Sequence, residues 1–437
     1  MSSAGRLLQD VTLIDGTGSA PKSGQSLVVE GERISWVGPT AQAPSFSPER
    51  VVQAGGRTLL PGLINAHVHL CNDGAPDLFA QVRDDTIPLA TLRAAANARL
   101  TLESGVTSVR DCGSTDGLAI EIGRAIADGV IPGPRVQAAG RVITMTGGHG
   151  HFMGREADGP DALRRATRTE IKGGADFIKV MATGGVLTPG VSPTQTALQV
   201  DELRAVVEAA HDAGRRVTTH AIGGDGIMNA LRAGVDSIEH GFYLDEEALG
   251  IAVAQGTFLV PTLVALASII NSGAPQGVPG WVVAKAEREL DRSRTMFRAA
   301  VDSGMRIAAG TDAGTPFNRH DDMARELALM VGLGAVAAEG DPRGDRRVRR
   351  EHGPTARHRH RAGRQVRRPP ARRRRPQPGH RGADSGGLGH ESRDHLPRRD
   401  PVRPRAAARA GAERVTTTES RRVRRRPPPL ESEELTC

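Results

Sequence analysis

Short apolar segments alternate with longer amphipathic segments between residues 58 and 334. Each apolar segment is seven to ten residues long and rich in Val, Ile, Leu and Ala, whereas segments such as 89–104 and 284–303 repeat their apolar positions at helical spacing. This alternation is typical of β–α units that build a parallel sheet. The eight predicted strands are 58–67, 105–111, 135–143, 175–182, 215–221, 235–241, 256–263 and 305–312.

Eight β–α units favour a closed (β/α)₈ barrel over residues 58–334. A barrel of this type needs about 250 residues, which fits the length of the segment. The alternative is a doubly wound open sheet, but the first predicted strand is not followed by the GxGxxG turn of that fold. The sequence therefore predicts an α/β protein built around a TIM-like barrel.

Residues 1–57 have a different pattern, in which short alternating apolar stretches are separated by turn residues. This pattern predicts a small β unit rather than helices. Because so few strands cannot bury a core alone, we expect this unit to be an incomplete part of a composite β-sandwich.

The composition changes abruptly after the last predicted helix, 320–334. From residue 335 onward there is no Ile, Phe, Tyr, Trp, Met, Asn or Lys, and residues 341–437 hold 28 Arg against 12 acidic residues. The net charge of residues 341–437 is therefore +16. Because the whole chain has a net charge of +8, residues 1–340 have a net charge of −8. We interpret 335–437 as a disordered Arg/Pro/Gly-rich tail that results from a frameshift in a GC-rich gene.

Two alternatives for the tail remain open: an evolved disordered basic segment and an Arg-rich segment that binds nucleic acid. The tail has no aromatic residue to stack on bases and no repeated RGG or RS pattern, so nucleic acid is not the expected partner. The three cysteines form no CxxC pair, and the N-terminus lacks a signal-peptide pattern. No apolar stretch is long enough for a membrane span, and we expect a cytoplasmic protein.

Metal-ligand residue types stand at or near the ends of five predicted strands. His67 and His69 are two positions apart, so both can point to one face of the first strand. A lone strand histidine is usually packed or hydrogen-bonded, but active sites of (β/α)₈ barrels lie at the C-terminal ends of the strands. The whole set therefore predicts one metal centre. Its members are His67, His69, Lys179, His220, His240 and Asp312.

The segments PGLINAHVHL, ADFIKVMATGG, VTTHA, SIEHG and AGTDAG resemble, in order and spacing, the amidohydrolase superfamily. The branch with the greatest similarity contains binuclear Xaa-Pro dipeptidase-like and imidazolonepropionase-related proteins. The resemblance covers residues 8–334. It implies that His67, His69 and Asp312 bind one metal ion, that His220 and His240 bind a second, and that a carboxylated Lys179 bridges the two.

Lys179 decides between one and two metal ions. An ammonium group cannot bind a cation, whereas a carbamate formed with CO₂ is a long carboxylate that can bridge two ions about 3.5–4 Å apart. The alternative is that Lys179 stays an amine and pairs with a carboxylate such as Asp312. Histidine and carboxylate ligands favour Zn²⁺, although Mn²⁺, Co²⁺ or Fe²⁺ would also suit.

The resemblance implies hydrolysis of an amide bond by a metal-activated hydroxide, with Asp312 as general base and then general acid. We expect a small amide or peptide substrate, an Xaa-Pro or similar dipeptide or an N-acyl amino acid, and we leave self-association open. One alternative is a mononuclear deaminase or cyclic-amide hydrolase, which does without the bridging lysine. Another is an inactive relative, because the Pro-Gly-Lys-x-Ala-Asp-Leu type strand that completes the family's β-sandwich is missing here.

Further residues are predicted to face the same end of the barrel. By resemblance, His149 or His151 in the 144–154 loop and Tyr243 contact substrate; a surface loop and a packing role are the alternatives. The Gly/Pro-rich segment 183–196 is either a specificity loop or a plain connection. Arg110 and Asp111 end the second strand, and the sequence does not decide whether they touch substrate or form a structural pair.

Overall fold

The computed structural model describes residues 5–335, and these form a small N-terminal sheet followed by a β–α barrel. The predicted tail, 335–437, lies outside the described residues except for Ala335. Within the described part of the chain, no helix combines the length and the apolar character needed to cross a membrane.

The N-terminal sheet has the order β3-β2-β1-β4, with β5 also pairing with β1. Strands β1 and β2 are antiparallel, whereas β4 and β5 run parallel to β1. Ile34 and Val37 on β3 remain 64% and 46% exposed. That the sheet is one part of a β-sandwich stays a prediction. Its strands are β1 (Gly5–Leu13), β2 (Lys22–Glu30), β3 (Arg33–Pro39), β4 (Val51–Gln53) and β5 (Thr58–Leu59).

The barrel segment follows the predicted alternation of parallel strands and helices. The strands are β6 (Leu63–Val68), β7 (Val106–Asp111), β8 (Arg135–Ala138), β9 (Ile143–Thr144), β10 (Arg155–Glu156), β11 (Ile178–Met181), β12 (Val217–Ala221), β13 (Ser237–His240), β14 (Phe258–Val260) and β15 (Arg306–Ile307). The helices are α1 (Leu78–Asp84), α2 (Ile87–Glu103), α3 (Ala119–Ala127), α4 (Pro160–Gly173), α5 (Val200–Asp212), α6 (Gly224–Ala233), α7 (Glu246–Gln255), α8 (Leu263–Ser272), α9 (Gly280–Ser303) and α10 (Met323–Gly332).

Local sequence signals explain where these helices begin and end. The Asp245 side chain accepts a hydrogen bond from the Ala248 N–H at the start of α7, and Gln199 and Glu202 form a capping box at the start of α5. Helix α9 ends at Gly304, whose left-handed conformation a glycine adopts without strain. Strands β11 to β14 are buried along their whole length, as expected of a parallel sheet covered by helices.

Backbone hydrogen bonds connect the barrel strands into a ring. Strands β6, β7 and β8 pair in that order, and β11 to β15 form a second run. The Asp176 N–H donates to the Ala138 carbonyl at 2.8 Å, which joins the end of β8 to the chain two residues before β11. On the other side, Ala66 N–H donates to Ala309 O at 2.9 Å and Asp312 N–H to His67 O at 2.8 Å. The predicted (β/α)₈ architecture is thus confirmed.

The eighth strand differs from the prediction in its length. Regular strand geometry covers only Arg306–Ile307, whereas the sequence predicts 305–312. The chain beyond it still pairs with β6 through Ala309 and Asp312, and Asp312 itself has a φ of +60°, outside the range of a strand. Gly310 is needed where this segment runs beside β6, because a Cβ there would lie 2.9 Å from the backbone nitrogen of His67.

Candidate metal centre

The six predicted ligands come together at the C-terminal end of the barrel. They line a single cleft of about 750 Å³, a volume that includes the solvent at its mouth. His240 is the last residue of β13, and His67 and His220 lie one residue before the ends of β6 and β12. Lys179 lies in β11. Asp312 follows β15 and is held opposite His67 by the backbone pairing that closes the barrel.

His67 and His69 share one carboxylate oxygen. Oδ1 of Asp312 lies 3.2 Å from His67 Nε2 and 3.3 Å from His69 Nε2. The other nitrogen of each ring donates outward: His67 Nδ1 to a Glu239 carboxylate oxygen at 2.6 Å, and His69 Nδ1 to the Gly113 carbonyl at 2.7 Å. Since both partners are acceptors, Nδ1 carries a proton in each ring, and Nε2 is the nitrogen that faces Asp312.

His220 and His240 are oriented in the same way, each through one nitrogen. His220 Nε2 donates to the Gly184 carbonyl at 2.8 Å, which leaves its lone pair on Nδ1. His240 Nδ1 lies 2.7 Å from Thr262 Oγ1, which leaves Nε2 available. The imidazole rings of the two residues are 4.5 Å apart between centroids, so both face the same space.

Burial keeps most of these imidazoles neutral, which is the form that binds a metal ion. Burial lowers the pKa of His240 to about 3, and it lowers the pKa of His220 well below its usual value. At His69 burial also disfavours the cation, but the hydrogen bond and charge of Asp312 outweigh it and raise the pKa. Burial would raise the pKa of Asp312, but His67 and His69 outweigh it and keep this carboxyl ionised.

Lys179 is buried without a partner. Its side chain is 1% exposed, and Nζ makes no hydrogen bond with any described residue. The alternative pairing with Asp312 is not observed, since Asp312 contacts His67 and His69 instead. A buried, unsatisfied ammonium is costly, so this position calls for a modification or a ligand.

Three residues at or beyond the ends of β13, β14 and β15 have left-handed backbone conformations that non-glycine residues seldom adopt. They are His240, Thr262 and Asp312, with φ of +70°, +50° and +60°. Such strain costs about 1–3 kcal/mol per residue and clusters at functional sites. Asn318 Nδ2 donates to the Asp312 carbonyl at 2.9 Å and to the Thr311 carbonyl at 2.7 Å, which holds the Asp312 backbone in this conformation.

This geometry agrees with comparisons to known proteins. A family model described as "Amidohydrolase family" matches residues 58–345, about two thirds of the chain. The chain belongs to the amidohydrolase family. The resemblance seen in the sequence is thereby confirmed, and the protein is a hydrolase that acts on carbon–nitrogen bonds.

Relatives of this amidohydrolase include enzymes with named activities. An ochratoxinase of Aspergillus niger is 32% identical over 361 residues, which cover 75% of this chain and 73% of that protein. A solved Xaa-Pro dipeptidase with bound methionine in its active site is 32% identical with a TM-score of 0.70, covering 78% of this chain and 87% of that one. A prolidase complexed with N-methylphosphonate-L-proline is 28% identical with a TM-score of 0.67, covering 79% and 95%.

Membership gives the amidohydrolase two general properties. Proteins of this family generally bind metal ions, and they act on small amide or peptide substrates. The donor set fits the first property, since ligand atoms of His67, His240 and Asp312 lie within 4.8 Å of one another. Histidine nitrogens with a carboxylate oxygen are the ligands of catalytic zinc sites.

Glu239 is a site residue that the sequence analysis missed. It is fully buried in β13, and its carboxylate accepts hydrogen bonds from His67 Nδ1 at 2.6 Å and Arg110 Nη2 at 2.7 Å, and from the Thr218 hydroxyl. Burial would raise its pKa, but Arg110, His67 and Lys179 outweigh burial and hold the pKa well below the usual value. The available signal was an acidic residue inside a predicted strand, directly before the predicted ligand His240.

The structure also shows what Arg110 and Asp111, at the end of the second barrel strand, contact. Arg110 lies inside the barrel against Glu239. Asp111 accepts the backbone N–H groups of Leu70 at 2.8 Å and Gly113 at 3.1 Å, and Gly113 in turn accepts from His69. Both side chains therefore support candidate ligands, Arg110 through Glu239 and Asp111 through Gly113, and neither lines the cleft.

Of the predicted substrate-binding residues, only His149 lines the cleft. Its ring centroid is 4.4 Å from that of His220, and its Nδ1 lies 2.7 Å from Thr188 Oγ1. His151 is exposed and donates to the Gly148 carbonyl. Tyr243 stacks under the Arg292 guanidinium, 4.4 Å from the ring centroid, and is not brought into the cleft.

The rest of the cleft is mainly apolar. One part of the lining comes from the loop after β11, through Val186 and Leu187, and another part from α8, through Ala265, Leu266 and Ile269. A polar floor beneath apolar walls is the usual form of a small-molecule site. The apolar lining residues are Leu78, Phe152, Met153, Met181, Val186, Leu187, Ile222, Phe242, Ala265, Leu266 and Ile269.

Proposed function

We propose that the protein is a binuclear metallohydrolase that cleaves the amide bond of a dipeptide or N-acyl amino acid with an apolar residue beside the scissile bond. His67, His69 and Asp312 would hold one ion, and His220 and His240 the other. Carboxylated Lys179 would bridge the two. The observation that carries the proposal is the buried Nζ of Lys179, which has no hydrogen-bond partner among the described residues and lines the same cleft as these five ligands.

Two ions of this kind, Zn²⁺ first among the candidates, would lower the pKa of a shared water toward neutrality and polarise the substrate carbonyl. Asp312 is ionised and sits between His67 and His69, so it can accept the proton of the attacking water and return it to the leaving amine. His149 faces the cleft with Nδ1 engaged by Thr188, and its Nε2–H can donate to the carbonyl oxygen as charge develops there.

The walls of the cleft support an apolar substrate. Burial of an apolar side chain against Val186, Leu187 and Leu266 would add roughly 1.5–3 kcal/mol of binding free energy. A similar protein, the Xaa-Pro dipeptidase, holds methionine in its active site, and methionine also has an apolar side chain. Which apolar residue is preferred, and on which side of the bond, belongs to the same proposal.

The test is a hydrolysis screen with protein reconstituted with Zn²⁺ and bicarbonate. The library contains dipeptides, including Xaa-Pro, and N-acyl amino acids with apolar, small and charged side chains. Wild type should hydrolyse the apolar members, and Lys179→Ala should lose more than about 100-fold in kcat/KM, since loss of an outer-sphere group alone costs 10–100-fold. Lys172→Ala, at an exposed position of α4, is the control and should match wild type.

Two results would overturn the proposal. One is turnover by Lys179→Ala equal to that of wild type, which would favour the mononuclear deaminase or cyclic-amide hydrolase. The other is no turnover of any amide by metal-loaded wild type.

A further inference from the structure

The loop between β11 and α5 forms one wall of the cleft. Its base is closed by pairing between Thr183 and Thr196 and by a hydrogen bond from Gly184 N–H to the Gln195 carbonyl at 2.8 Å. We call residues 183–196 the β11 loop. Val186 and Leu187 near its start line the cleft directly. The loop holds three glycines and two prolines and therefore has few side chains with which to fix its own shape.

The β11 loop also contacts two histidines of the site. The Gly184 carbonyl accepts from His220 Nε2, and the Thr188 hydroxyl lies 2.7 Å from His149 Nδ1. Gly185 packs on the face of the His149 ring, because a Cβ there would lie 2.4 Å from ring atoms. A change in the loop's conformation would thus move both the wall of the cleft and His149.

A single lysine from another part of the chain holds this loop. Lys285 in α9 donates from Nζ to the carbonyls of Val191 at 2.6 Å and Thr188 at 2.8 Å, with Gly185 O at 3.4 Å. An ammonium has three N–H donors, so these three acceptors use all of them. The Trp281 ring centroid lies 5.0 Å away on the same helix. Among the described residues, Lys285 forms no ion pair with a carboxylate.

We propose that Lys285 is a positioning residue that sets the substrate preference of the cleft by fixing the β11 loop. Three backbone carbonyls converge on one point, where they would repel each other without a cation. Gly185, Thr188 and Val191 are buried residues, so loss of the ammonium would leave their carbonyls without this donor. The effect on substrate preference rests on the proposed amide hydrolysis, whereas the effect on the loop does not.

The experiment compares Lys285→Met, which removes all donors at similar length, with Lys285→Arg, which retains charge, in the full chain. Lys172→Met on the exposed face of α4 is the matched control. Hydrogen–deuterium exchange of peptides covering 183–196 is measured first. We expect exchange about tenfold faster in Lys285→Met, an intermediate rate in Lys285→Arg, and the wild-type rate in the control.

Kinetics with amides that carry a large or a small apolar side chain form the second measurement. Lys285→Met should raise KM for the large side chain about tenfold with a smaller fall in kcat, and should bind as much metal as wild type. Lys285→Arg should raise the KM for the large side chain less than Lys285→Met does. A general loss of structure would instead lower metal content and affect both substrates equally.

The outcomes separate this proposal from the proposed function. If wild type hydrolyses no amide, the proposed function fails. The hydrogen–deuterium exchange of residues 183–196 still tests whether Lys285 fixes the β11 loop. Unchanged exchange in Lys285→Met overturns the present proposal, as does an unchanged KM ratio for the two substrates. If Lys285→Met does not fold, Lys285→Gln takes its place. Exchange must then rise in the order Lys, Arg, Gln, and equal rates in all three overturn the proposal.

Discussion

Replacement of Glu239 by Gln changes one atom in the centre of the buried network beneath the metal centre. The two side chains have nearly the same volume, so packing is preserved. The carboxylate accepts from His67 Nδ1 at 2.6 Å and from Arg110 Nη2 at 2.7 Å. A Gln has one acceptor oxygen for these two donors, and its own NH₂ group must then face one of them.

The magnitude follows from these contacts. One charge-assisted hydrogen bond, about 1.5–3 kcal/mol, is replaced by a donor–donor contact. Arg110 also loses the negative charge beside it in a site where the glutamate is fully buried. Loss of one partner from a buried ion pair costs about 3–5 kcal/mol, and we expect the free energy of unfolding to fall by this amount. The weaker partner of His67 should lower metal affinity about 10–100-fold.

Two assays measure these effects on the same preparation. Urea unfolding of the metal-free protein gives the change in stability, and competition with a chromogenic chelator gives the metal dissociation constant. Glu247→Gln, at an exposed position in the first turn of α7, is the control and should change neither quantity. Wild-type stability together with wild-type metal affinity in Glu239→Gln would refute the account of this network.

Two further predictions concern α10 and the β11 loop. Burial raises the pKa of Glu326 from 4.5 to about 8, and the N–H groups of Leu263 and Val264 oppose this only in part. Between these pH values the folded state therefore binds more protons than the unfolded chain, and the free energy of unfolding should fall by up to about 1.4 kcal/mol per pH unit as the pH rises. Glu326→Gln should lack this contribution. Urea unfolding across this pH range measures it, and equal pH slopes for wild type and Glu326→Gln would contradict the prediction. Gly185→Ala places a Cβ 2.4 Å from the His149 ring, which must then move. We expect kcat/KM to fall about tenfold without loss of metal, and an unchanged kcat/KM would show that the position of His149 does not matter for the reaction.

The barrel, and the edge at which the candidate ligands meet, could be predicted because they depend on regular patterns. Parallel strands end at the same edge, so His67, His220 and His240 had to lie near one another once the strands were identified. Asp312 was placed correctly near this edge, although its own segment is not a regular strand. Its left-handed conformation depends on Asn318 and on pairing with β6, which are contacts between distant parts of the chain.

Other features depend on contacts that spacing does not reveal. Glu239 precedes His240 in the sequence, but its role comes from Arg110, about 130 residues away. His149 and His151 stand two residues apart in a glycine-rich turn, and only the fold distinguishes the one in the cleft from the exposed one. Similarly, the segment 183–196 could be identified as a loop, but its attachment to Lys285 could not.

The number of metal ions per chain distinguishes a site with two bridged ions from a site with one. Protein reconstituted with Zn²⁺ in the presence of bicarbonate, freed of excess metal and analysed by mass spectrometry of its metal content, should contain about two ions per chain. Lys179→Ala should contain one or none. One ion per chain in both proteins would contradict a carboxylated Lys179 that bridges two ions.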